Sequence, residues 1–146
     1  MMATLKAFTA GTPTVSQDVA VDGSAWLVHC TQAQTFRLFE VSEPVCEECR
    51  VLYRARLKTE GLTGRAYLEM WCRLPGRGEF FSRGLGQVVT GSNDWVSCEI
   101  PFLLKKGQRP DLIRLNLVVK AAGWVFKKAV KGKAWIKNVE LLTVPL

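Results

Sequence analysis

A tryptophan lies between a carboxylate and a guanidinium in "YLEMWCRL", residues 67–74. If this segment is a β-strand, alternate side chains point to opposite faces, and the residues between the polar ones are all apolar. The polar face then consists of Tyr67, Glu69, Trp71 and Arg73. An aromatic face stacks on the C–H groups of a sugar ring, while charged groups hydrogen-bond to its hydroxyls. This face therefore predicts a binding surface for a carbohydrate or another small polar ligand.

Residues 51–58, 96–102 and 112–120 show the same alternation, each with one apolar and one more polar face. If these strands share a sheet, their outward side chains join the first set in one surface. The predicted ligand-binding residues are Arg54, Arg56, Tyr67, Glu69, Trp71, Arg73, Glu99, Arg114 and Asn116. The alternative interpretation is ordinary cross-strand pairing, in which arginines neutralise Glu69 or Glu99 on a solvated sheet.

Metal and catalytic motifs are incomplete. Cys46 and Cys49 have the spacing of a zinc-binding pair, but a tetrahedral site needs two more ligands, and a second such pair is missing. The single histidine, His29, precedes Cys30 in a predicted strand, where neighbouring side chains diverge. No nucleophile elbow occurs, and no carboxylate pair has the spacing expected of a glycosidase. We therefore expect a protein that is not an enzyme and has no metal or other cofactor.

A basic and aromatic segment near the C-terminus offers another function. Residues 124–137, "WVFKKAVKGKAWIK", interleave lysines with aromatic rings. Such a hairpin can bind single-stranded nucleic acid by neutralising phosphates and stacking on bases, but lysines also protect exposed sheet edges. A nucleic-acid or anionic-partner module is thus one alternative. A protein-interaction domain, including a homodimer formed through an aromatic face, is another.

Length and composition are those of one domain spanning residues 1–146, with 48% apolar residues. No segment reaches the roughly 20 apolar residues of a membrane helix, and the N-terminus lacks the features of a signal peptide. The five cysteines are odd in number and irregularly spaced, as is typical of a reducing compartment. We expect a cytoplasmic protein with no membrane partner.

Apolar residues recur with period two along the chain, and no segment keeps a helical stripe. Strands are predicted at residues 24–30, 34–41, 50–59, 64–74, 79–85, 94–104, 111–121 and 133–142. Turn signals such as "TEGLTG" and "PGRG" separate them. Eight half-buried strands joined by short turns favour an all-β fold, a two-sheet antiparallel β-sandwich. Residues 1–22 are expected to form an extended arm or an edge strand.

Three consecutive segments carry a family resemblance: "GSNDWVSCEIPF", "DLIRLNLVVKAAG" and "KAWIKNVELL". Their order resembles the C-terminal half of galactose-binding-like jelly rolls and related carbohydrate-binding modules, over residues 50–142. The resemblance implies a jelly-roll sandwich and a non-catalytic binding role, although such sandwiches also serve protein docking and structural roles. Relatives often carry Asp where this chain has Asn138, so the resemblance does not imply a structural calcium. The turn before the last strand is also longer here, which adds the basic hairpin.

Overall fold

A computed structural model describes residues 2–121 and 130–146, and within those ranges every regular element is a β-strand. The strands are β1 (Ala3–Phe8), β2 (Ala20–Asp22), β3 (Ala25–Cys30), β4 (Gln34–Ser42), β5 (Cys49–Leu74), β6 (Gly78–Arg83), β7 (Val89–Leu104), β8 (Leu112–Ala121) and β9 (Gly132–Pro145). The predicted all-β class is confirmed. In the part of the chain that is described, no helix has the length and apolar character needed to cross a bilayer.

The strands form two layers that share β5. The first half of β5 pairs with β7 on one side and β9 on the other, and β9 in turn pairs with β3 and β1. The second half of β5 pairs with β6 and β8, and β8 pairs with β4. All these pairings are antiparallel. The predicted two-sheet antiparallel jelly-roll sandwich is confirmed, with β2, β3, β1, β9 and β7 in the first layer and β6, β8 and β4 in the second.

The turn predicted at "TEGLTG" is wrong, because residues 59–64 remain inside the 26-residue strand β5. Gly61 has a φ of 58°, and the register between β5 and β7 shifts on both sides of it, so the strand bends without ending. Gly132 of β9 lies against this bend. A Cβ atom there would approach the Gly61 carbonyl oxygen to 2.6 Å, so only glycine fits. The bend carries the chain from one layer to the other.

The inward faces of both halves of β5 form one core. Val51, Tyr53 and Leu57 from the first half and Met70 from the second have no exposed side-chain surface, as their period-two pattern predicts. The Tyr53 hydroxyl donates a hydrogen bond to the backbone carbonyl of Asn116 on β8, 3.3 Å away, and so spans the space between the layers. Burial, and secondarily Cys98, raises the pKa of Tyr53 far above its usual value, which keeps the donor proton in place. Residues that point outward from the two halves consequently face opposite sides of the sandwich.

The N-terminal 22 residues, expected to be an arm or edge strand, contain β1 and β2. β1 pairs antiparallel with the C-terminal half of β9. Farther along, the backbone N–H groups of Val15 and Ser16 donate to the carbonyls of Leu38 and Arg37 on β4. This segment thereby covers the free edge of β4, which would otherwise present unpaired backbone groups.

Candidate functional site

The nine predicted site residues lie on two faces rather than one. The expectation of a single surface is wrong because β5 changes layers between Arg56 and Tyr67. Arg54, Arg56 and Glu99 lie on the outer face of the first layer, where Arg54 pairs with Glu99 of β7. The other six are carried by the second layer: Tyr67, Glu69, Trp71, Arg73, Arg114 and Asn116. These two surfaces are named the Arg56 face and the Trp71 face. Glu69 and Glu99 consequently lie on opposite faces of the sandwich.

Two cross-strand rows form the centre of the Trp71 face. Strand pairing places Glu69 between Arg83 of β6 and Asn116 of β8. The next row places Trp71 between Phe81 of β6 and Arg114 of β8. A polar row therefore lies directly beside an aromatic row.

Glu69 is the buried centre of the polar row, with 5% of its surface exposed. One carboxylate oxygen accepts hydrogen bonds from the Trp71 indole nitrogen at 2.9 Å and from the Asn116 amide nitrogen at 3.0 Å. The other oxygen accepts one from Arg83 Nε at 2.7 Å. Burial alone would raise the pKa of Glu69, but the hydrogen bonds from Arg83, Asn116 and Trp71 bring it below the usual 4.5. The ionised carboxylate thus fixes the positions of three neighbouring side chains.

The aromatic row presents ring surface to solvent. Phe81 is 50% exposed, and Trp71 is partly exposed. Their ring centroids are 5.1 Å apart with an interplanar angle of 50°, and the Arg83 guanidinium carbon lies 3.9 Å from the Phe81 ring centroid. The indole orientation is fixed by its bond to Glu69. Two adjacent rings on a solvated sheet are therefore held in one arrangement, which suits stacking against a flat apolar ligand surface.

Arginines beside the aromatic row are engaged by carboxylates of the protein. Arg114 bonds Glu79 of β6 and, at 3.4 Å, Glu40 of β4. Arg73 donates two hydrogen bonds to Asp111, at 2.8 and 3.3 Å, and this contact lowers the pKa of Asp111. These pairs leave the margin of the aromatic row rich in hydrogen-bonding groups without an uncompensated charge at its centre.

Tyr67 and Asn116 are placed less accessibly than the sequence suggested. Tyr67 is only 3% exposed and lines a hollow of about 250 Å³ together with Arg83 and Leu85. Asn116 is buried, and its side-chain oxygen has no hydrogen-bond partner within the described ranges. Both residues support the face from below rather than forming its exposed part.

The Arg56 face fits the alternative interpretation at one pair. Arg54 and Glu99 form an ion pair of 2.7 Å in which the side chains are 38% and 40% exposed. Such a pair is ordinary sheet stabilisation. Arg56, two residues farther along β5, makes no ion pair with any described residue.

The basic hairpin is only partly described. Residues 124–129 of the basic hairpin lie outside the described residues. On β9, the Trp135 indole nitrogen donates to Asp22 at 2.9 Å, and Lys58 Nζ lies 5.2 Å from the ring centroid of Trp135.

The Cys46–Cys49 pair, which has the spacing of a zinc-binding pair, lies within the described residues. Burial, reinforced by the nearby Cys49, raises the pKa of the Cys46 thiol to about 12. No cluster of three or more metal-ligating side chains occurs in residues 2–121 and 130–146.

Sequence reasoning missed Phe81, Arg83 and Glu79 as parts of the Trp71 face. A local signal for them exists, because "PGRG" makes a tight turn in which Arg77 N donates to the Leu74 carbonyl at 2.9 Å. A hairpin that short fixes which residues of β5 and β6 face each other. Extending the register back from the turn places Phe81 beside Trp71.

No family model matches the chain, and no curated protein matches it in sequence. Solved structures match its fold. The xylan-binding domain of carbohydrate-binding module family 22 from Paenibacillus barcinonensis gives a TM-score of 0.56 at 10% identity, over 98% of this chain and 96% of that domain. The family 22 and GH10 modules of a Clostridium thermocellum xylanase, complexed with xylohexaose, give 0.60 at 8% identity, over 97% of this chain and 28% of that one. A family 4 module gives 0.56 at 8% identity, over 94% and 78%. The chain therefore has the jelly-roll fold of carbohydrate-binding modules.

Proposed function

We propose that the chain is a non-catalytic carbohydrate-binding module that holds a neutral sugar chain across the Trp71 face. Trp71 and Phe81 are assigned the stacking role, because they are the adjacent aromatic rings that reach solvent on this face. The observation that carries the proposal is the bond from the Trp71 indole to the buried Glu69 carboxylate. It fixes the ring before a ligand arrives, so little side-chain entropy is lost on binding.

The charges around the rings favour a neutral ligand. Arg83 is occupied by Glu69, and Arg114 is shared between Glu40 and Glu79. An anionic sugar would have to displace one of these carboxylates, whereas hydroxyl groups can use their remaining acceptor and donor positions. The xylohexaose complex of a structural neighbour supports a neutral pyranose chain as the first ligand to test.

The state of Glu69 argues against hydrolysis on this face. A glycosidase acid must hold a proton near neutral pH, which requires a raised pKa. The pKa of Glu69 is instead lowered, and both of its oxygens accept hydrogen bonds from the protein. Its role in the proposal is to position the aromatic rings.

Calorimetric titration with xylohexaose and other neutral hexasaccharides tests the proposal. Trp71→Ala is expected to weaken binding at least about tenfold, equivalent to about 1.4 kcal/mol, because the stacking surface is removed. Trp135→Ala is the matched control, since Trp135 is also partly exposed and also donates its indole N–H to a carboxylate at 2.9 Å, but on the opposite layer. It should change affinity by less than about twofold.

Two results would contradict the proposal. One is a wild-type protein that binds no hexasaccharide of the panel. The other is a greater loss of affinity in Trp135→Ala than in Trp71→Ala. Thermal unfolding of both variants shows whether each retains a cooperative fold, so that a lost ligand is not mistaken for a lost structure.

A further inference from the structure

Two cationic residues are cross-strand neighbours on the Arg56 face. Strand pairing places Arg56 of β5 opposite Lys137 of β9 on one side and Ser97 of β7 on the other. Like charges directly opposite each other destabilise a sheet. Neither cation belongs to an ion pair among the described residues, and the remaining residues of the chain include no Asp or Glu. Lys137 has a cation–π partner, because its Nζ lies 4.1 Å from the ring centroid of Trp95 on β7. Arg56 is therefore the cation of this row whose charge is not balanced by a described side chain.

Arg56 also has a buried donor without an acceptor. Its Nε atom is inaccessible to solvent and has no hydrogen-bond partner within the described residues. Arg54, two residues earlier on the same face, donates its own Nε to Glu99 at 2.8 Å. A buried, charged donor left without a partner destabilises the folded protein. An acceptor supplied by a ligand would remove that destabilisation.

A cavity of about 290 Å³ lies at this position. Its lining residues come from three strands and the segment before β7: Arg54, Ala55, Arg56, Gln87, Ser97, Cys98, Glu99, Asn138 and Glu140. A bulge in β9 helps to form it, because the pairing skips from Glu140 opposite Arg54 to Lys137 opposite Arg56. Asn138 lies in this bulge with a φ of 53°, a left-handed conformation that asparagine tolerates better than most residues. The bulge interrupts the regular ladder of side chains beside Arg56.

We propose that this cavity binds a small hydroxylated ligand through an oxyanion group, a carboxylate or a phosphate, held by Arg56. A guanidinium can donate two parallel N–H hydrogen bonds to such a group. The Ser97 hydroxyl and the Asn138 amide supply further donors. Two carboxylates also line the cavity: Glu99, which is paired with Arg54, and Glu140, which supplies an acceptor for ligand hydroxyls. The site lies on the opposite side of the sandwich from the Trp71 face and does not depend on sugar binding there.

The test is a titration of the intact chain with D-glucuronate, inorganic phosphate and D-glucose, followed by calorimetry and by thermal unfolding. Arg56→Gln should weaken binding of the anion at least about tenfold, because the bidentate partner is lost. Arg50→Gln is the matched control. Arg50 lies on the same strand and points to the same face, but is exposed and outside the cavity. It removes the same charge and should alter affinity less than about twofold.

The outcomes separate the two sources of the oxyanion. Binding of glucuronate alone supports recognition of a carboxylate together with sugar hydroxyls, and binding of phosphate supports recognition of the oxyanion itself. Glucose, which has no charge, should not bind this site. The proposal is overturned if neither anion binds the wild-type protein, or if Arg56→Gln binds as well as wild type.

Thermal unfolding without ligand gives an independent criterion. Arg56→Gln should melt at the wild-type temperature or above, because it removes a buried donor that has no partner among the described residues. A lower melting temperature would mean that Arg56 stabilises the fold itself, which contradicts the proposal. Trp71→Ala should still bind the anion, so failure here is distinguishable from failure of sugar binding on the Trp71 face.

Discussion

The two outer faces of the sandwich use similar residues to different ends. On the Trp71 face, a carboxylate with 5% exposure receives three hydrogen bonds and orients an indole. On the Arg56 face, the Arg54–Glu99 pair is about two-fifths exposed on both sides, and Arg56 lies opposite another cation. The same strand, β5, supplies both sets. Cross-strand partners therefore decide whether a charged residue stabilises the protein or remains available to a ligand.

Two of the partly exposed tryptophans in the described residues sharpen this difference. Trp71 and Trp135 each donate an indole N–H to a carboxylate at 2.9 Å. The Trp71 ring lies next to the exposed ring of Phe81, with the centroids 5.1 Å apart. The Trp135 ring instead has Lys58 Nζ at 5.2 Å from its centroid. An aromatic surface that extends across two strands suits a chain-like ligand, while a ring next to a cation has a partner within the protein.

The largest expected effect is on the free energy of unfolding, and it separates Glu69 of the Trp71 face from Glu99 of the Arg56 face. Glu69→Ala should lower the free energy of unfolding by about 2 to 3 kcal/mol, because it leaves Arg83, Trp71 and Asn116 without their acceptor. Glu99→Ala should cost less than about 1 kcal/mol, since its ion pair is exposed. Urea unfolding of both variants measures the difference. An equal loss of unfolding free energy in both variants would contradict the difference between the two faces.

A smaller effect is expected from neighbouring phenylalanines. Phe81 and Phe80 are 50% and 43% exposed, but they point to opposite faces of β6, opposite Trp71 and Cys72 respectively. Phe81→Ala should weaken hexasaccharide binding roughly threefold to tenfold by removing one stacking surface. Phe80→Ala should leave the affinity for the hexasaccharide unchanged while lowering the melting temperature more than Phe81→Ala does. Titration and melting curves on both variants decide this, and the reverse pattern would place the ligand elsewhere.

The smallest expected effect is on the pH dependence of the free energy of unfolding. Because the folded pKa of Glu69 is lowered from 4.5, its contribution to stability is complete above that pH and is lost as the pH falls through the folded pKa. The difference in unfolding free energy between wild type and Glu69→Gln should be constant near neutral pH and shrink below about 4.5. The same difference for Glu99→Gln should be small throughout, because that pair is exposed. Parallel acid profiles for wild type and Glu69→Gln would contradict the hydrogen-bond account of Glu69.

Much of the local structure was predictable from side-chain alternation. Period two correctly assigned Tyr53 and Leu57 to the core and Trp71 to the outside, because burial of one sheet face acts on every second residue. The two-sheet sandwich followed from strand number and short turns, and the jelly-roll topology was implied by the family resemblance. Which strands pair with each other could not be predicted from the sequence, since pairing joins residues that are far apart in the chain.

The division of the site into two faces illustrates this limit. Gly61 and its neighbours have the composition of a turn, and a bend within a continuous strand uses the same residues. Only the pairing of Glu69 with β8 and of Arg54 with β7 distinguishes the two cases. Phe81, in contrast, was within reach of local reasoning, because a tight hairpin fixes its register against Trp71.

The most direct test of the account follows the indole N–H signals of the five tryptophans by two-dimensional NMR while xylohexaose, or another bound neutral hexasaccharide, is added. Each signal is assigned by a single Trp→Phe substitution. The account predicts that the Trp71 signal shifts with ligand concentration while those of Trp135 and Trp95, on the opposite layer, do not move. Shifts at Trp135 or Trp95 with no change at Trp71 would place the sugar on the Arg56 face and contradict the account.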